Sequence, residues 1–263
     1  MAYMELNLYS KVLSLELPVS LILPQPRPGK EEPLRTLWLY HGSTGDHTLW
    51  ARLTNLELYA AERNLAVVIP TGHKSLFTNM LHGQDYGTYM GEELVSRIRQ
   101  IFPCLSERRQ DNFIGGLSNG AYGALRVGLR YPETFSAIGA FSGGDFAGQY
   151  YTDDGTYRGR RHVMVFGEGC PARSEHGVRF LAERLLEQGG PFPRIYHAAG
   201  SLEAAGQGDS LSDFFRSLPD NPFAYQFELF ENYGHEWRLW DRALLKYLED
   251  FLDIPGHKFH YYI

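Results

Sequence analysis

Residues 116–120 read Gly-Leu-Ser-Asn-Gly, a G-x-S-x-G pattern centred on Ser118. Chemistry needs this pattern on a sharp strand-to-helix turn, where the bend pushes the serine hydroxyl out above a sheet and the glycines remove side chains that would clash. The context fits: residues 113–115 read as a strand, and a stretch rich in small residues (Gly120, Ala121, Gly123, Ala124) follows as a helix. A serine so placed performs nucleophilic acyl transfer once a base reaches its proton, because an unassisted hydroxyl is a poor nucleophile. A Gly-Ser loop with no chemistry is the bland alternative, and the strand and helix on either side argue against it.

In this kind of fold the partners follow in the order serine, acid, histidine. Four histidines lie between Ser118 and the tail: His162, His176, His197 and His235. His235 is the choice for the base, because NYGHEW (232–237) falls in a loop between the last expected strand and the last expected helix. His197 sits inside an expected strand, where a satisfied core histidine is the simpler role. The acid is expected on the loop after the strand that precedes the histidine strand. Glu203, which follows RIYHAAGSL, comes first there; Asp209 and Glu168 stay open. The oxyanion needs two preorganised N–H donors. The amide of Asn119 follows the nucleophile, and HGSTG (41–45) follows an early buried run, with the Ser43 amide preferred over that of Thr44.

The elements around these residues alternate. Residues 5–23 suggest early strands, and PQPRPGKEEP (24–33) a surface connection. LWLY (37–40) and LAVVI (65–69) are short continuous apolar runs, as in strands buried on both faces of a parallel sheet. Further strands are expected at 135–141, 194–198 and 226–230, with helices at 49–64, 91–102, 120–131 and 237–252; residues 163–166 form another apolar run. Strands alternating with helices imply a mostly parallel sheet covered on both faces. With 263 residues, 43% hydrophobic and 21% charged, the chain fits one α/β domain over 1–263.

A net charge of −6 without a basic cluster argues against a nucleic-acid partner. No segment is long and apolar enough to span a bilayer, and the N-terminus lacks a signal-peptide pattern. Two cysteines, Cys104 and Cys170, are too few for a disulfide framework, so a reduced, cytoplasmic protein is expected. No CxxC pair is present and no second histidine follows His235-Glu236 at helical spacing, so no metal and no cofactor are expected.

HGSTGDHTLW (41–50), VVIPTGHKSLFTNM (67–80), YGTYMGEEL (86–94), FIGGLSNGAYGALR (113–126) and GHEWRLWD (234–241) resemble, in order, the esterase D-like putative esterases of the α/β-hydrolase superfamily. The likeness runs from about residue 5 to 253 and is greatest to small intracellular acetyl or tributyrin esterases, relatives of S-formylglutathione hydrolase and of feruloyl and acetylxylan esterases. The resemblance implies a catalytic Ser118 and His235, oxyanion amides at Ser43 and Asn119, a small acyl-ester substrate, and self-association into homo-oligomers. The sequence departs from the family in three places. Glu203 stands where an aspartate is usual, Asn119 where methionine is usual, and Ala121 where a second glycine is usual.

Short acyl chains, acetyl to butyryl, are the expected substrates. Among aromatic residues near the motifs, Trp50, Tyr89 and Trp237 are expected to line the substrate pocket, with Phe77, Tyr86 and Tyr122 as further candidates. Other readings are a thioesterase of the S-formylglutathione hydrolase kind, an acyltransferase, or a non-catalytic binding module. The aromatic tail HKFHYYI (257–263) is apolar for a terminus, with docking on the body or on a second subunit and a disordered tail as the two readings.

Overall fold

The computed structural model describes residues 1–25, 32–149, 151–203 and 209–257, with the side chain of Asp209 outside that set. Its centre is an eight-stranded sheet in the order β1-β2-β4-β3-β5-β6-β7-β8. The strands are β1 (Ala2–Ser10), β2 (Leu15–Leu23), β3 (Arg35–Tyr40), β4 (Leu65–Pro70), β5 (Asn112–Leu117), β6 (Ala137–Phe141), β7 (Arg194–Gly200) and β8 (Gln226–Phe230). From β4 through β8 every neighbouring pair is parallel, while β1–β2 and β2–β4 are antiparallel. The helices are α1 (Leu49–Leu53), α2 (Leu56–Arg63), α3 (Tyr86–Thr88), α4 (Leu94–Ile101), α5 (Asn119–Arg130), α6 (Tyr157–Phe166), α7 (Val178–Gln188), α8 (Asp209–Ser217) and α9 (Trp237–Lys246).

Two apolar cores, one on each face, explain why the central strands read as unbroken hydrophobic runs. Trp38 and Tyr40 of β3 point into a core with Leu94, Tyr122, Leu125 and Leu185. Leu37 and Leu39 alternate to the opposite core, with Trp50, Leu56, Leu239 and Leu244. Each buried Leu or Phe is worth roughly 1.5–3 kcal/mol, so the sheet is held from both sides and its C-terminal rim is left to the loops.

Three expectations change. The helix expected over 49–64 is broken: Thr54 is extended (φ −137°, ψ 173°), its hydroxyl bonds back to the Trp50 carbonyl, and Asp241 captures the amide and side chain of Asn55. The helical passage expected at 91 starts earlier, with α3, and reaches α4 through a π-helical turn over Tyr89–Glu93. The apolar run at 163–166 is the end of α6 and not a strand, its His162, Val165 and Phe166 being the buried face of a helix. Of the tail, only His257 is described, its amide bonded to the Glu62 carbonyl at 3.1 Å; the rest lies outside the described residues. Among the described residues no helix is long and apolar enough to cross a membrane.

Candidate active site

The loop after β3 is shaped by a histidine that the sequence reading passed over. His41 is fully buried. Its Nδ1–H donates to the Gly42 carbonyl at 2.7 Å, and its Nε2 accepts the Gly72 amide at 2.9 Å. Those roles require the neutral ring, and burial lowers its pKa to about 4. His41 therefore pins the 41–45 loop to the loop after β4. Two cations fix Ser43 from outside: Lys74 Nζ donates to its carbonyl at 2.6 Å and Arg161 Nη1 to its hydroxyl at 2.7 Å.

Ser118 sits between β5 and α5 with φ 53° and ψ −116°, a backbone region that L-residues avoid. The glycines make the bend feasible. A Cβ at Gly116 would lie 2.3 Å from the Gly120 carbonyl oxygen, and one at Gly120 would lie 2.5 Å from the carbonyl oxygens of Tyr40 and His41. The second contact also brings the start of α5, with the Asn119 amide, against the 41–45 loop. The Ser118 amide donates to the Phe141 carbonyl at 2.8 Å, which ties the elbow to the end of β6.

The next residue along that rim, Ser142, also has positive φ (55°) and links the elbow to a carboxylate. Glu203 Oε2 accepts the Ser142 hydroxyl at 3.0 Å and the Gly200 amide at 2.7 Å. Its Oε1 takes the Nδ1–H of His235 at 2.6 Å. Trp240 Nε1–H donates to Ser142 Oγ at 2.9 Å, and its ring meets that of His235 edge-on at 4.9 Å. The Glu203 side chain is 2% exposed. Burial raises its pKa, but the bonds from His235, Gly200 and Ser142 outweigh burial and hold it below the ordinary glutamate value. The carboxylate is thus ionised and fully bonded, and it orients the imidazole, whose Nε2 makes no hydrogen bond among the described residues. The Ser118 hydroxyl makes no hydrogen bond among the described residues, so its approach to Nε2 is not closed in this state; such bonds often tighten only with substrate bound.

The other carboxylates fare differently. Glu168 follows helix α6 and is exposed, so it does not occupy a post-strand acid position. Asp209 opens α8, and its side chain lies outside the described residues. His197 is buried, with Nδ1 2.8 Å from the Tyr225 hydroxyl, as a core histidine. The pocket residues need correction. Trp50 is fully buried, donates to the Tyr40 carbonyl and packs edge-on against Phe141, so it is core and offers no face to a substrate. Tyr89 is 2% exposed inside the opposite core. Phe77, stacked on Tyr40 at 4.6 Å, and Tyr122, bonded to the His176 carbonyl, are buried too. Trp237 is half-buried, edge-on to Trp50 and Trp240 beside His235. The sequence reading missed Ser142 and Arg161, which stand in no recognisable motif, and gave no role to Trp240, although it lies within GHEWRLWD. No group of three or more His, Cys, Asp or Glu able to hold a metal is found among the described residues.

Residues 10–251 match the model of a family described as putative esterase. The chain belongs to that family. It is 32% identical over 266 residues to an acetyl esterase of Caldicellulosiruptor saccharolyticus, covering 95% of this chain and 97% of the relative. Among solved structures it resembles a substrate-bound fluorophosphonate-binding serine hydrolase of Staphylococcus aureus (TM-score 0.82, 28% identity, 95% and 98% of the two chains). It also resembles an S-formylglutathione hydrolase of the same organism (TM-score 0.79, 27% identity, 95% and 98% of the two chains). The protein is an esterase with the α/β-hydrolase fold and a serine hydrolase.

Proposed function

We propose that this esterase hydrolyses short-chain acyl esters, acetyl to butyryl, through an acyl-enzyme on Ser118. The observation that carries the proposal is the rim itself. A serine is held in a strained elbow, and a buried, ionised Glu203 orients His235 on the neighbouring loops. His235 Nε2 takes the Ser118 proton as Oγ attacks the ester carbonyl. The amides of Ser43 and Asn119 receive the developing oxyanion. His235 then protonates the departing alcohol, and water, deprotonated by the same imidazole, releases the acid and restores Ser118.

The short-acyl preference is supported by the acetyl esterase relative and by the filling of the space behind the rim: Trp50, Phe77, Tyr89 and Tyr122 are all packed into the cores. Trp237 stays as the aromatic wall beside His235. We place the protein in the cytoplasm as one domain over 1–263, a reading that fits its two free thiols, Cys104 and Cys170. Its only proposed partner is the small ester, unless a second copy of the chain joins it.

The test is a panel of p-nitrophenyl esters from acetate to laurate, run with Ser118→Ala beside the wild type and with a fluorophosphonate probe. Turnover greatest at two to four carbons, abolished with the labelling in Ser118→Ala, is expected. A twelve-carbon optimum rejects the acyl preference, and labelling that survives Ser118→Ala rejects the nucleophile. S-acyl thioesters added to the panel separate the esterase reading from a thioesterase one.

A further inference from the structure

Two turns beyond Ser118 along α5 lies a cation that the ester chemistry does not use. Arg126 is 4% exposed, its Nε is enclosed without a partner, and no hydrogen bond or ion pair to it is found among the described residues. Its side chain lines a cavity of about 290 Å³ together with Asn79, Thr88, Arg130, Tyr131 and His176. A guanidinium taken out of water without a bonded counter-ion is costly, and arginine cannot escape by losing its proton near neutrality.

The two acids that line the cavity, Glu92 and Glu175, are bonded to other groups, although the charge of Glu175 also favours that of Arg126. Glu175 pairs with Arg130 Nε at 3.1 Å through one oxygen and with Arg184 through the other. Glu92 accepts the Tyr131 hydroxyl at 2.9 Å. Room for the guanidinium is built in: a Cβ at Gly87 would lie 2.6 Å from Arg126 Nη1. Asn79 and Thr88 are bonded to each other in both directions at 3.0 and 2.9 Å, which makes that wall a fixed polar surface.

We propose that this cavity is a binding site for a small oxyanion, a carboxylate or a phosphate group, gripped by the Arg126 guanidinium with Arg130 beside it. The planar fork of arginine matches two oxygens of such a group, which a spherical halide cannot offer. Arg126 is eight residues along the helix from Ser118, about 12 Å at helical rise, so the site is separate from the acyl-transfer centre. Its occupant would join α5 to the segments carrying Asn79 and His176.

The test is thermal unfolding of the full chain in increasing sodium phosphate or sodium acetate, at ionic strength held constant with sodium chloride. A saturable rise of roughly 2–4 °C in one or both titrations, lost in Arg126→Gln, is expected; which titration responds tells phosphate from carboxylate. Wild-type crystals soaked in sodium selenate give a second readout that does not depend on the variant folding. Anomalous density within hydrogen-bond distance of the Arg126 nitrogens supports the site. Only water at that position, no rise in either titration, or a rise that survives in Arg126→Gln overturns it.

Discussion

Arg161 reaches across 118 positions to donate from Nη1 to the hydroxyl of Ser43 at 2.7 Å. The loop proposed to supply one oxyanion amide is therefore gripped from helix α6 as well as by Lys74 and His41. Arg161 touches the hydroxyl of that loop residue, so it is a positioning residue. Arg161→Met keeps the aliphatic stem and removes the donor. We expect kcat on p-nitrophenyl acetate to fall about tenfold, close to 1.4 kcal/mol, with KM much less affected because ground-state binding is largely spared. Arg161→Lys should recover part of the loss. An unchanged kcat in Arg161→Met removes Arg161 from the support of the loop.

Glu203→Gln leaves the shape of the side chain but not its charge, and it can leave His235 in the wrong tautomer. The expected result is a fall in kcat/KM of roughly 10²–10⁴-fold, whereas Glu168→Gln, altering an exposed residue after α6, should be silent. Steady-state kinetics on the three proteins decides it. A comparable loss in Asp209→Asn with none in Glu203→Gln would move the acid to Asp209.

Acid should weaken the fold before it protonates most carboxylates. The His41 pKa is lowered by burial to about 4, against an ordinary value of 6.5. Below pH 6.5 the unfolded chain binds a proton that folded His41 refuses, so the contribution is present above 6.5 and fades as pH falls from 6.5 to about 4. That contribution amounts to about 3 kcal/mol. His162 and His176, both also lowered to about 4 with burial the first cause, add to the same slope. Glu203 acts at the acid end of the window, because its pKa is held below the usual carboxylate range and its stabilisation is lost as pH passes below that value. Urea midpoints between pH 4 and 7 should rise with pH, and His41→Gln should flatten that rise. A slope identical in the variant refutes the assignment to His41.

The elbow stores strain. Ser118 adopts φ 53° and ψ −116°, which glycine enters readily and alanine does not. Ser118→Gly should therefore exceed Ser118→Ala in stability by roughly 1 kcal/mol, both being inactive, as read from denaturant midpoints at equal slope. Equal stability, or a less stable glycine variant, would mean that the bend carries no strain.

Much of the frame was legible in the chain. Continuous apolar runs at LWLY and LAVVI announced β3 and β4 because both faces of those strands are buried, which makes every position apolar. The G-x-S-x-G pattern announced the turn at Ser118 because only glycine fits where a Cβ would meet carbonyl oxygens at 2.3–2.5 Å. Loop order pointed to Glu203 as the partner of His235, and the two are bonded at 2.6 Å. The break between α1 and α2 was not legible, since it depends on Asp241, 186 positions from Asn55.

Sequence alone determined what is local or periodic: the strand-to-helix turn, the alternation that makes a parallel sheet, and the order of serine, acid and histidine. Tertiary structure alone decided which polar groups share a network and which aromatic rings face solvent. Ser142 and Trp240 steady Glu203, Arg161 steadies Ser43, and Trp50 and Tyr89 turn inward to the cores. The physical reason is that hydrogen bonds and burial depend on distance in space, and the sheet brings together residues that no spacing rule along the chain connects.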